Sequence, residues 1–128
     1  MRFNHVANRV SPAHFDTVVA LFTLCLGFIE LRRTERAIWL RQAGANVDLQ
    51  LSRSDPGHRD ADKARSQVSF LSDTPDAELR TLAAWLEGRG LKASVGAYSD
   101  REFFLDAPDA FVDFVIEAMR PELADYGV

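Results

Sequence analysis

The chain has little of several things, and each scarcity excludes something. One cysteine, Cys25, occurs in 128 residues. It rules out a disulfide within one chain and any cysteine-based zinc site. No basic excess is present: 15 Lys and Arg stand against 19 Asp and Glu, a net charge of −4. That argues against nucleic acid or an anionic membrane surface as the main partner. No apolar run is long enough to span a bilayer. The longest, Val18 to Phe28, is broken by Thr23 and Gly27. Met1-Arg2 opens on mixed residues without a signal-peptide pattern, so a cytoplasmic protein is expected.

What is present suffices for a core. Apolar residues make up 47% of the chain, too many for disorder, and the length suits one domain. The stretch Asn46-Val47-Asp48-Leu49-Gln50-Leu51 alternates with a period of two. One strand face is therefore apolar, and the other carries Asn46, Asp48 and Gln50. Such a polar face is either solvated or lines a pocket.

Phe3 to Val10 reads as a strand. Ser11-Pro12 then starts a helix, with proline at a position where no N–H is needed. Phe15, Val18, Val19, Phe22 and Leu26 follow helical spacing up to Gly27. Cys25 lies in that stripe and reads as a buried structural thiol, while His14 reads as exposed. Strands are expected over Phe28–Thr34, Ala37–Arg41 and Asn46–Leu51. Residues 52–64 read as a polar crossover in which His58 is a solvated loop histidine. The pattern then restarts: strand Ser66–Leu71, helix from Thr74-Pro75 to Gly88 and Gly90, and strands Leu91–Ala97, Glu102–Leu105 and Ala110–Ile116. Pro121 argues against a long helix in the tail, 118–128. Sixty-three residues separate Pro12 from Pro75, and the same number separate Gly27 from Gly90. The chain is thus an internal repeat of strand, helix and three strands. The halves are 1–51 and 65–117, an α+β fold whose curved mixed sheet carries helices outside.

The repeat, the opening Asn4-His5-Val6-Ala7 and the closing Phe103-Phe104-Leu105-Asp106-Ala107-Pro108-Asp109 before Phe111-Val112-Asp113-Phe114 together resemble the vicinal oxygen chelate superfamily. Glyoxalase I, bleomycin-resistance proteins, fosfomycin-resistance enzymes and extradiol dioxygenases belong to it. The likeness runs from about residue 3 to 117. Its closing turn departs from the family's Asp-Pro-Asp-Gly, because proline comes one place later and no glycine follows.

The resemblance implies up to four metal-site positions inside a cup, which fall here on His5, Asp48, Gln67 and Asp113. Asp48 or Asp113 would serve as catalytic base. One imidazole, two carboxylates and an amide suit Zn²⁺, Ni²⁺, Mn²⁺ or Fe²⁺. Such an ion would act as a Lewis acid on a small oxygenated substrate, and the protein would be a glyoxalase-like lyase, isomerase or transferase. Against this, aspartate is one C–C bond, about 1.5 Å, shorter than the family's glutamate, and metal distances tolerate only about 0.2 Å. A ring-cleaving dioxygenase is disfavoured because only His5 supplies imidazole at a ligand position. The competing expectation is a metal-free small-molecule binder of bleomycin-resistance type. Trp39 and Arg41 would offer a stacking wall and an anion fork, although Trp39 equally suits covering the core. Gln50 and Ser69 would line the cup, and Tyr98 would stand at its rim. Edge strands and the family's habit imply a homodimer.

Overall fold

The computed structural model describes residues 2–45, 47–54, 63 and 66–124. The chain runs β1 (His5–Val10), a 3₁₀ turn (Pro12–His14), α1 (Phe15–Ala20), a π turn (Leu21–Cys25), β2 (Phe28–Arg33), β3 (Ala37–Gln42) and β4 (Asp48–Arg53). It continues through β5 (Gln67–Leu71), α2 (Pro75–Glu87), β6 (Ser94–Ala97), β7 (Glu102–Asp106) and β8 (Val115–Met119) to a 3₁₀ turn at Pro121–Ala124. Most of the expected crossover, His58 included, lies outside the described residues.

Each half builds its own four-stranded sheet, with orders β1-β4-β3-β2 and β5-β8-β7-β6. In each sheet the first and last strands are parallel, and the rest are antiparallel hairpins. Among the described residues the sheets are bridged only where Val10 meets Phe111. There Ser11 N–H donates to the Ala110 carbonyl at 2.9 Å, and Val112 N–H donates to that of Arg9 at 3.1 Å. The single curved sheet of the sequence reading is therefore two sheets stitched at one point.

Proline and glycine punctuate the halves alike. Pro12 and Pro75 open their helical segments, and Gly27 (φ 71°) and Gly90 (φ 80°) follow them. Both glycines adopt left-handed backbone that a side chain would strain. The expected cap hydroxyls do not cap: neither Ser11 nor Thr74 makes the side-chain bond. Ser72 instead ties the segment before α2 to the start of that helix. Its oxygen accepts from Thr74 N–H at 3.0 Å, and its hydroxyl donates to Glu78.

Strand parity decides what is buried. Val10, Ile38, Leu40, Leu49 and Leu51 face α1, and Leu105 and Ile116 face α2; all join one continuous core. Phe28 and Phe70 meet edge to face at 6.1 Å, so the apolar sides of the two halves touch. The other side of each sheet, its open face, carries the polar residues.

Two local expectations are corrected. The closing strand is Val115–Met119, not Ala110–Ile116. Residues 110–114 form the turn that stitches the sheets, with Phe111 stacked on Phe114 at 4.6 Å. Ala118 and Met119 accordingly belong to the second half rather than the tail. Cys25 is exposed because the helix ends in a wide π turn that rotates it off the apolar stripe.

Candidate functional site

The strand registers set the open face in rows. In the first half, one row runs His5, Asp48, Arg41 and Ile29, and the next runs Ala7, Gln50, Trp39 and Arg32. In the second half, the corresponding rows are Gln67, Val115, Asp106 and Ser94, then Ser69, Glu117, Phe104 and Gly96.

Asp48 is buried at 7% exposure on the central strand β4. A buried carboxylate needs partners, and Arg41 supplies them from β3. Its Nε donates to Oδ1 at 2.6 Å and its Nη2 to Oδ2 at 3.1 Å. The fork thus engages both oxygens, the strongest geometry available to this pair. The hydrogen bonds first, then the charge of Asp48, raise the Arg41 pKa above its ordinary value. Arg41 is therefore not an open anion fork.

Asp113 precedes β8 and serves another purpose. Its Oδ1 accepts Arg9 N–H at 2.8 Å, and its Oδ2 lies 3.4 Å from Arg9 Nε. It ties the stitching turn to β1. The exposed His5 places Nδ1 2.7 Å from Asn4 Oδ1. Gln67 lies near Asp48: both line a cavity of about 240 Å³ with Gln42, Ser69, Phe28 and Phe70. A cavity of about 370 Å³ lies on the helix side, between Cys25, Glu78 and Leu82, away from the polar rows.

The four expected metal positions do not fit a metal. One carboxylate is taken by Arg41, the other by Arg9, and the remaining donors are an imidazole and a neutral amide. Among the described residues no three His, Cys, Asp or Glu side chains converge.

Two residues escaped the sequence reading. Glu117 lies on β8 between Ser69 and Phe104, and its Oε1 accepts the Ser69 hydroxyl at 2.7 Å. Its signal was Ile116-Glu117-Ala118, the same apolar–acid–apolar triplet as Val47-Asp48-Leu49. Arg32 lies 5.1 Å over the Trp39 ring, so Trp39 is covered by a cation rather than by core. Its signal was weaker, because a β-bulge between Glu30 and Arg32 shifts the register. Tyr98 is 44% exposed and packs its ring 4.9 Å from that of Phe104.

No family model and no curated protein sequence matches the chain. Solved structures do. A possible glyoxalase from Bacillus cereus superposes with a TM-score of 0.61 at 16% identity, over 93% of this chain and 98% of that one. Lactoylglutathione lyase from Agrobacterium tumefaciens gives 0.57 at 12%, covering 96% of both. An antibiotic binding protein from a Streptomyces species gives 0.57 at 18%, over 94% of this chain and 96% of that one. The fold is therefore the α+β fold shared by glyoxalases and bleomycin-resistance proteins. Among the described residues no helix is long and apolar enough to cross a membrane.

Proposed function

We propose that this chain is a metal-free small-molecule binding protein built on the glyoxalase fold. One observation carries the reading: the Arg41 guanidinium occupies both oxygens of Asp48, the residue that family resemblance assigns to a metal. A cation already neutralises this carboxylate, so a second cation there would have to displace a bidentate charged pair. The open faces keep polar and aromatic side chains suited to a small ligand: Gln50 and Trp39 in one half, Ser69 and Glu117 in the other. Such a mixture of flat apolar walls and few polar groups is what ligand pockets use.

The protein works as a homodimer in this reading. The strands β1 and β5 are sheet edges. Phe3 (71% exposed) beside β1 and Leu71 (56%) on β5 leave apolar surface for a second copy. The setting is the cytoplasm.

Titration calorimetry with flat aromatic ligands, run with and without chelator, tests the function. Equal affinities in both buffers support it. Binding or turnover that vanishes with chelator and returns with Zn²⁺, Ni²⁺, Mn²⁺ or Fe²⁺ restores the lyase or isomerase reading.

A further inference from the structure

We infer that the open face of the second half is a seat for a planar organic cation, with Phe104 as the plate and Glu117 as the counter-ion; this rests on the metal-free reading above and names its ligand class. The internal repeat carries the inference. The row Ala7, Gln50, Trp39, Arg32 in the first half corresponds to Ser69, Glu117, Phe104, Gly96 in the second. Both rows hold an aromatic ring at the third place. In the first half the fourth place is Arg32, whose guanidinium lies 5.1 Å from the Trp39 centroid. That plate already has its cation.

In the second half the fourth place is Gly96, which brings no charge. The Phe104 ring settles on it so closely that a Cβ at residue 96 would stand 2.3 Å from Phe104 Cζ. Tyr98 widens the plate, its ring 4.9 Å away and tilted 35°. Where the first half has the neutral Gln50, the second has the carboxylate of Glu117. The Ser69 hydroxyl holds Glu117 Oε1 at 2.7 Å, and no basic side chain pairs with Glu117 among the described residues.

The rest of this face adds to its sign. Glu102 lies one row away, and Asp106 is met by Lys63, whose Nζ is 2.5 Å from Oδ1 but off a hydrogen-bonding direction. Lys63 is the face's one base among the described residues, and it is spent on Asp106. A ring face attracts a cation through its quadrupole, and a partly buried carboxylate beside it strengthens that attraction. A flat, delocalised cation satisfies both at once. A flat anion would meet the ring and be repelled by Glu117.

The test uses the full chain and two flat probes, proflavine (a cation) and anthraquinone-2-sulfonate (an anion), titrated with chelator present. Proflavine should bind and the sulfonate should not. Glu117→Gln, which keeps the hydrogen bond from Ser69, should weaken proflavine about tenfold with an unchanged melting temperature. Phe104→Leu should weaken it similarly, and Gly96→Ala should do so independently by lifting the ring off its seat. Loss on Trp39→Leu with retention on Phe104→Leu would overturn the site. Binding of the sulfonate but not of proflavine would overturn the ligand class and leave metal-free binding standing. Binding of proflavine only after adding a divalent metal would overturn both.

Discussion

Removing the Asp113 carboxylate should weaken the fold and leave ligand binding intact. Asp113 Oδ1 accepts the Arg9 backbone N–H at 2.8 Å, and Oδ2 lies 3.4 Å from Arg9 Nε. The first contact is a hydrogen bond to a charged acceptor, worth about 1.5–3 kcal/mol when well formed. The second is a half-exposed ion pair, with side chains 32% and 47% exposed, and adds about 0.5 kcal/mol or less. Water reaches the site and replaces part of what is lost. Asp113→Ala should therefore cost about 1–2 kcal/mol. For a chain of this length that is a fall of about 3–10 °C in melting temperature. Asp113→Asn keeps an acceptor for the N–H and should lose about half as much. Urea unfolding followed by circular dichroism gives the cost, and calorimetry gives the affinity of the same samples. A catalytic or metal-binding Asp113 would behave in the opposite way. If Asp113→Ala abolished ligand binding at unchanged stability, its assignment to the stitching turn would be wrong.

Three further outcomes follow from the same contacts. Arg41→Ala strands the buried Asp48 charge and should lower the melting temperature, while adding Asp48→Asn to it should restore most of the loss; strictly additive effects would contradict the pair. Phe111→Ala empties a fully buried ring site at the junction of the sheets and should cost about 3–5 kcal/mol in urea unfolding, and a loss below about 1 kcal/mol would show that the turn does not hold the halves together. Partial burial, opposed by the nearby charge of Arg89, pushes the Cys25 thiol pKa up. Its thiolate should appear at higher pH than that of a model peptide, with slower disulfide-reagent labelling at pH 8; a midpoint at or below the peptide's would refute this.

The repeat was legible because its marks are local. Pro12, Pro75, Gly27 and Gly90 each act through their own backbone, and the alternation around Asp48 fixes a strand without reference to the rest of the chain. The closing strand was not legible in the same way. Val112-Asp113-Phe114 alternates like a strand, yet Phe111, Val112 and Phe114 are all buried, because the turn plugs the join between sheets. What holds Asp113 there is a backbone donor at Arg9, 104 residues earlier, and no local pattern reports such a partner. The Arg41–Asp48 pair lay between these extremes. Both residues were singled out, but their meeting depends on the β3–β4 register, in which Trp39 faces Gln50 and so sets Arg41 beside Asp48. Gln50 and Ser69 stand on the open faces where parity put them. Glu117 stayed hidden because Asp113, an acid four residues earlier and of the same parity, had taken its place.

Elemental analysis of protein purified without chelator tests the central claim most directly. Metal-free binding predicts far less than one equivalent of zinc, nickel, manganese or iron per chain, and a melting temperature unmoved by chelator or by any of these ions. One tightly held equivalent, lost together with stability in Asp48→Ala, would contradict it.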